Sequence, residues 1–353
     1  MHWYILKRQA MPFLLNKSNN NTSVKRLLNV SMRHAHNNKD GQDPHGFEKS
    51  SITQVANYWQ ERFENEGVTE SKESIEHIIF HILGTRKIKN LASLNEKRLN
   101  PDQLQKLDLL CNCRLSRMPI QYIIGEWDFR DITLKLEPPI FIPRPETEVL
   151  VDYSLKSINN LKNKSCSILE IGCGSGAISL SLLKSNNDLT VTAIDINPHA
   201  CDLTMQNAKN LKLDLRLSLF NAKMNEDGTI NILKNDFSNQ DFNFMEKKFD
   251  FIISNPPYIP TKKIFKLQPE ITLYEDIVAL DGGKDGLQLI KAIIKFASQA
   301  LYKGGYLILE VDSTHPSEIS SFIEQIYSDE LKVKEVYKDF CKNDRFVEIV
   351  KIK

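Results

Sequence analysis

The segment with the most chemistry in it is Asn255-Pro256-Pro257-Tyr258, which follows the apolar run Phe249 to Ser254. An Asn side-chain oxygen and a prolyl carbonyl are both acceptors, so together they can hold the two hydrogens of an NH₂ group. Two consecutive prolines fix φ twice and remove two N–H donors, which stiffens the loop that carries those acceptors. Tyr258 can stack against a planar group. The segment therefore fits a planar NH₂, either a carboxamide or the exocyclic amine of a base. Such a nitrogen is a poor nucleophile because its lone pair is delocalised. Holding both hydrogens aims it at an electrophile, and orientation of this kind supplies several kcal/mol, with an upper range of roughly 7–11 kcal/mol. The acceptors also favour positive charge building on the nitrogen in the transition state. No metal and no covalent nucleophile is required. Taken alone, the four residues could also be a tight turn with no function.

A second segment, Gly172-Cys173-Gly174-Ser175-Gly176, follows the short apolar run Ser167 to Ile171. Its glycines let the backbone turn sharply and approach a ligand, and a helix following it offers unpaired N–H groups. Asp195 closes the next apolar run, where a carboxylate can accept from both hydroxyls of a ribose. These features point to a nucleoside-bearing cofactor. The spacing G-x-G-x-G, rather than the complete G-x-G-x-x-G, favours S-adenosylmethionine over NAD, although the acid at this distance serves NAD as well. A purely structural turn is the third reading. Glu170, immediately before the glycines, is expected near the ligand.

These loops must be held by a scaffold, and the pattern around them describes one. From about residue 145, strands alternate with helices: Ser167–Ile171, helix from Gly176 to Leu183, Leu189–Ile194, helix from Pro198 to Leu211, Phe249–Ser254, helix from Asp285 to Leu301, and Gly305–Val311. That is an α/β, doubly wound sheet with helices on both faces, and its ligands bind outside the carboxyl ends of the strands. Leu331–Tyr337 and Phe346–Ile352 alternate as a final hairpin. Leu215–Phe220 and Ile230–Leu233 are strand-like around a polar segment, Asn221 to Gly228, expected to be a surface insertion. Earlier in the chain, Ile52, Val55, Ala56, Trp59 and Phe63 recur at helical spacing. So do Ile75, Ile78, Ile79 and Ile82, and then Leu104, Leu107, Leu110 and Leu115 after Pro101, which suits a helix start. The expected organisation is a targeting or disordered segment at 1–45, a helical bundle at 46–118, a β-hairpin linker at 119–143 and the α/β domain at 144–353.

Composition bounds the function classes. The chain has 353 residues, 41% of them hydrophobic, enough for a sizeable core. The net charge of +1 gives no sign of a nucleic-acid binder. No apolar run approaches the roughly 18 residues that would span a membrane. Six cysteines, Cys111, Cys113, Cys166, Cys173, Cys201 and Cys341, lack zinc-ligand spacing and are expected as reduced thiols. The first 39 residues stand apart. They hold Lys7, Arg8, Lys17, Lys25, Arg26, Arg33 and Lys39, with no acid before Asp40. A basic, acid-free, amide-rich segment reads as a mitochondrial transit peptide, hence a matrix protein, with a disordered basic tail as the alternative.

Taken in order, the segments resemble the release-factor glutamine methyltransferases over about residues 50–352. The resemblance is carried by Pro119-Ile120-Gln121-Tyr122-Ile123-Ile124-Gly125, by Ile142-Pro143-Arg144-Pro145-Glu146-Thr147-Glu148, by the glycine loop and Asp195, by Asn255 to Pro260, by Gly282-Gly283-Lys284-Asp285-Gly286-Leu287 and by Asp344-Arg345. It implies a Rossmann-like class I methyltransferase fold with a smaller N-terminal helical-bundle domain and a linking β-hairpin. It also implies S-adenosyl-L-methionine as the donor and, as the acceptor, the glutamine amide of the Gly-Gly-Gln motif of a peptide chain release factor. With a transit peptide, that partner is a mitochondrial release factor. On this resemblance Gly172, Cys173, Gly174, Ser175 and Gly176 line the cofactor, Asp195 binds its ribose and Asp236-Phe237 lies on its adenine side. Asn255 and Pro256 bind the glutamine amide, with Pro257 and Tyr258 beside it, and Asn255 also borders the cofactor. Arg144 and Glu146 hold the loop, and the helical domain reads the release factor. The chain departs from the family at Asp312, where glycine is usual, and at Asn221–Gly228.

The rival with the same tetrapeptide is an adenine-N6 methyltransferase of DNA or RNA, which needs a basic surface and base flipping. Outside the N-terminal segment no sustained basic stripe is present, so stable nucleic-acid binding is not expected. A non-reacting methyltransferase fold and a dehydrogenase are the remaining alternatives. The intact motifs argue against the first, and the lack of a convincingly placed His or Tyr–Lys pair argues against the second.

Overall fold

The structure is a computed structural model, and it describes residues 45–85, 91–161, 166–234 and 242–353. The expectations for the segment 1–44 and for Asp236-Phe237 lie outside the described residues. In chain order the elements are helices α1 (Ile52–Asn65), α2 (Ser71–Ile82), α3 (Pro101–Leu115) and α4 (Ile120–Ile124), then strands β1 (Glu126–Phe129) and β2 (Ile132–Lys135). There follow α5 (Pro145–Asn159), β3 (Cys166–Ile171), α6 (Ala177–Ser185), β4 (Leu189–Asp195), α7 (Pro198–Leu211), β5 (Leu217–Met224), β6 (Ile230–Lys234) and β7 (Phe249–Ser254). The chain ends with α8 (Thr261–Ile264), α9 (Pro269–Tyr274), α10 (Gln288–Ala300), β8 (Leu301–Glu310), α11 (His315–Ile326), β9 (Leu331–Lys338) and β10 (Asp344–Lys351).

Two compact units result. One comprises the described residues up to Glu126 together with Gln268–Tyr274; the other comprises Trp127–Leu267 and Glu275–Lys353. The first is helical. Capping boxes start α1 (Ser51 with Gln54) and α3 (Asn100 with Gln103), and Pro101 occupies the first turn of α3. Its apolar stripes meet around Trp59, Phe63, Ile75, Ile78, Ile79 and Leu107, all buried. Helix α9 is joined to this unit by Glu270, whose carboxylate accepts from Arg114 at 3.1 Å and from Arg117 at 2.9 Å.

The second unit holds an eight-stranded sheet in the order β6-β5-β4-β3-β7-β8-β10-β9. Strands β5, β4, β3, β7 and β8 run parallel, while β6, β10 and β9 add antiparallel edges. The order reverses between β3 and β7, so the loops leaving those two strands are neighbours at the switch point where open α/β sheets bind ligands. Alternation along the strands assigns the faces. Leu169, Ile171, Ile252, Leu307, Leu309, Val347 and Ile349 join α10 and α11 in the main apolar cluster. Glu170 and Glu310 fall between those positions, and their side chains engage residues of α6 and α5 instead.

Three expectations change in detail. The β-hairpin expected at 119–143 is shorter: Ile120–Ile124 is helix α4, and the hairpin proper is β1–β2 joined through Arg130, whose φ of 51° makes the tight turn. The helix expected from Asp285 starts at Gln288. Gly286 has φ +83° and the Asp285 carboxylate accepts from the Leu287 N–H, so a turn precedes the helix. The polar insertion expected at Asn221–Gly228 shrinks to a turn at its far end. Asn221 to Met224 belong to β5, with Asn221, Ala222 and Met224 buried; both strand-like pieces contribute to the main sheet, the first only from Leu217, because Asp214–Arg216 is a short 3-10 turn.

Candidate active site

The glycine loop leaves β3 and is tied at once to its neighbour. The N–H groups of Gly172 and Cys173 both donate to the Ile194 carbonyl at the end of β4, at 2.9 and 3.1 Å. Gly172, Gly174 and Gly176 have φ of +81°, +56° and +85°, a region that an L side chain rarely occupies. A Cβ on Gly172 or Gly174 would meet nothing within 4 Å, which is the open space a ligand needs. At Gly176 it would lie 3.0 Å from Leu180 and Thr204, so this glycine permits close helix packing. Cys173 and Ser175 turn their side chains inward and are buried, leaving their backbone to line the loop. Thr204 donates to the Gly174 carbonyl at 3.0 Å, and Asn207 donates to the Ser175 carbonyl at 2.9 Å while pairing with both backbone groups of Lys135.

Asp195 lies at the end of β4, half-buried. Its Oδ2 accepts from the Gly174 N–H at 2.9 Å and its Oδ1 from the Asn197 N–H at 2.8 Å. Each oxygen keeps a lone pair for a further donor. Burial pushes its carboxyl up to about 6, against the pull of those backbone donors. Asn221 reaches across from β5 and donates to the carbonyls of Asp195 and Ile196, both at 2.9 Å. Asn221, Asn207 and Thr204 therefore frame the site, though the sequence reading gave none of them a role.

Glu170 is fully buried. Its Oε2 accepts from the backbone N–H and the hydroxyl of Ser179, whereas Oε1 has no partner among the described residues. Burial drives its carboxyl up to about 8. Two glycines with open space at their Cβ positions and a half-buried carboxylate with a lone pair left on each oxygen fit a cofactor that carries a nucleoside.

The sign of the Glu170 effect is testable. A carboxyl whose pKa is raised by folding contributes stability fully below its ordinary value and loses it as pH rises through about 8. In ligand-free protein the melting temperature of the wild type should therefore fall relative to Glu170→Gln between pH 5 and 9, by on the order of 5 °C. A difference independent of pH would refute a Glu170 carboxyl raised by burial.

The tetrapeptide leaves β7 beside the glycine loop. The Ser254 hydroxyl donates to the Ile171 carbonyl at 2.6 Å and knits the two strand ends together. Asn255 is half-buried, and its Nδ2 donates to Thr147 Oγ1 at 3.1 Å. Thr147, in the first turn of α5, donates in turn to Glu310 Oε2 at 2.9 Å. Pro256 is buried and Pro257 half-buried. Tyr258 donates its hydroxyl to Glu310 Oε1 at 3.3 Å and accepts from Arg345 at 2.7 Å, with the guanidinium 5.0 Å over its ring. The phenol therefore anchors the loop, and Arg345 covers part of the ring expected to stack on a substrate.

The Gly282–Leu287 segment is packed against the same loop. Gly282 donates to the Ile259 carbonyl at 2.9 Å, and a Cβ at Gly282 would lie 2.7 Å from the Pro257 carbonyl oxygen. Arg144 pairs with Glu275 at 2.6 Å, and Glu275 also accepts from the Ile142 N–H at 3.3 Å. This couples the Ile142–Glu148 segment to the chain that returns after α9. Asp312, the departure from the family pattern, closes a turn by accepting from the N–H and hydroxyl of Thr314 at the start of α11. Among the described residues no cluster of His, Cys, Asp and Glu could hold a metal, and no helix is long and apolar enough to cross a membrane.

Residues 54–125 match the family model described as PrmC N-terminal domain, and residues 151–271 match that described as Methyltransferase small domain. The chain is 39% identical over 306 residues to a human protein named MTRF1L release factor glutamine methyltransferase, covering 85% of this chain and 87% of that one. It is 31% identical over 261 residues to the release factor glutamine methyltransferase of Geobacter sulfurreducens, covering 74% of this chain and 84% of the relative. For the protein of the same name from Clostridium acetobutylicum the identity is 32% over 259 residues, covering 73% and 84%.

Proposed function

Since the chain belongs to the release factor glutamine methyltransferases, enzymes that methylate protein glutamine at N5, we propose that it transfers methyl from S-adenosylmethionine to the glutamine amide in the Gly-Gly-Gln motif of a mitochondrial class I release factor. The observation that carries this reading is the placing of Asn255 and Pro256, two acceptors on a stiff loop, beside the glycine loop at the switch point of the sheet. When bound, S-adenosylmethionine supplies an electrophilic methyl group. The chain's own residues hold and orient. Gly172 and Gly174 let the backbone approach the cofactor, Asp195 accepts from its ribose, and Asp236-Phe237 is assigned to its adenine side. Asn255 Oδ1 and the Pro256 carbonyl take the two amide hydrogens and aim the nitrogen. As positive charge builds on that nitrogen, the same fixed dipoles stabilise it without reorganising.

Glutamine within a short tripeptide offers little surface for selection, so the helical unit is assigned the task of reading the rest of the release factor. The mitochondrial address rests on the basic, acid-free residues 1–39. A tagged chain lacking residues 1–40 should lose import, and unchanged import would sink that part of the reading.

The adenine-N6 alternative is separated by one assay. Purified protein with tritiated S-adenosylmethionine should label a release factor and leave duplex and single-stranded DNA and RNA unlabelled. Label on nucleic acid alone would overturn the proposal.

A further inference from the structure

We propose that Glu310 and Thr147 form a hydroxyl relay that sets which way round the Asn255 carboxamide lies, making the site select an NH₂ donor. The inference rests on the methyl-transfer reading above and extends it to two buried residues that act through Asn255.

Glu310 closes β8 with 1% exposure, and Thr147 is 3% exposed, so neither exchanges its partners with water. An ionised carboxylate only accepts. The single hydroxyl proton of Thr147 is therefore committed to Glu310 Oε2 at 2.9 Å, and what Thr147 has left to offer is a lone pair. A lone pair can face the amide nitrogen of Asn255 at 3.1 Å but not the amide oxygen. Nδ2 is turned towards Thr147, and Oδ1 is turned away from it, with no donor among the described residues, available to a substrate N–H.

The opposite flip would set two acceptors against each other inside the protein, which costs about the desolvation of a buried polar group. Burial raises the Glu310 carboxyl, and the Thr147 hydroxyl, the Arg345 guanidinium and the Tyr258 hydroxyl pull the other way, towards the ionised, accepting form. The other Glu310 oxygen receives the Tyr258 hydroxyl at 3.3 Å and lies 3.6 Å from the Arg345 guanidinium. One buried carboxylate thus fixes both ends of the tetrapeptide, Asn255 through Thr147 and Tyr258 directly. With Oδ1 turned away from Thr147, Asn255 adds a second acceptor to the Pro256 carbonyl of the same loop. A glutamine amide satisfies both, whereas a carboxylate or a carbonyl oxygen satisfies neither.

The test compares Thr147→Val, which keeps shape and removes the hydroxyl, with Thr147→Ser, which keeps the hydroxyl. The full-length enzyme is assayed on a release factor by mass spectrometry of the Gly-Gly-Gln peptide. Binding of S-adenosylmethionine and thermal melting are followed in parallel. The relay predicts that Thr147→Val lowers kcat about 100-fold. KM for the release factor and affinity for S-adenosylmethionine should stay within about threefold of wild type, and Thr147→Ser should recover most of the rate. A Thr147→Val enzyme with wild-type kcat would overturn the relay, as would equal damage by valine and serine. A wild-type enzyme that leaves the glutamine unmodified would overturn the functional reading itself, and the relay's purpose with it.

Discussion

Asn255→Ala is expected to lower kcat for methyl transfer by about 10²–10³-fold, the usual cost of removing one preorganised group that stabilises transition-state charge. Affinity for S-adenosylmethionine should change little, because the glycine loop and Asp195 remain intact. Stability should change by about 1 kcal/mol, since the side chain is half-buried and makes one hydrogen bond, to Thr147. Single-turnover kinetics with calorimetric titration of S-adenosylmethionine separates these quantities. An unchanged kcat would remove the tetrapeptide from the mechanism. Aspartate is no conservative replacement here: its second oxygen would face a Thr147 lone pair whose proton already belongs to Glu310.

The second large effect is expected at the other end of the site. Asp195→Ala removes two potential charge-assisted bonds to ribose hydroxyls, each worth about 1.5–3 kcal/mol. It also frees the Gly174 N–H, which shapes the glycine loop. Affinity for S-adenosylmethionine should fall by about 100-fold or more, whereas KM for the release factor at saturating donor should stay near wild type. Calorimetry with S-adenosylhomocysteine offers a check free of turnover. A dissociation constant within threefold of wild type would place the nucleoside somewhere other than the end of β4.

Sequence and structure agree best where one residue's identity dominates its local geometry. The strand-closing positions of Gly172, Asp195 and Asn255 were legible because apolar runs of strand length end in residues that break or cap them. Helix α7 starts at Pro198 and ends at Leu211, as its pattern indicates, for the same reason. What stayed hidden depends on long-range pairing. Asn221 read as part of a polar insertion because nothing local shows that its amide crosses to the carbonyls at the end of β4. Glu310 and Thr147 are 163 positions apart, and no periodicity announces that a strand-end carboxylate meets a hydroxyl in the first turn of α5. Glu170 is the intermediate case. Its place before the glycines marked it as interesting, but its pairing with Ser179 and its orphaned oxygen required the packed helix.

The two buried carboxylates share one design. Each sits on the face of the sheet opposite α10 and α11, and each is met by a hydroxyl in the first turn of a helix: Ser179 on α6 for Glu170, Thr147 on α5 for Glu310. Both carboxyls are pushed up by burial, to about 8 and about 7. Glu170 immediately precedes the glycine loop, and Glu310 pairs with the tetrapeptide through Tyr258 and, by way of Thr147, Asn255.

The proposed activity of this chain is methylation of the Gly-Gly-Gln glutamine of a mitochondrial release factor. Mass spectrometry of that peptide, from cells with and without the gene product, tests it most directly. The peptide should carry one extra methyl on the glutamine amide in wild-type cells and in cells complemented with wild-type protein. It should be unmodified in cells lacking the protein and in cells complemented with Asn255→Ala. A glutamine still fully methylated in the absence of the protein would contradict the assignment.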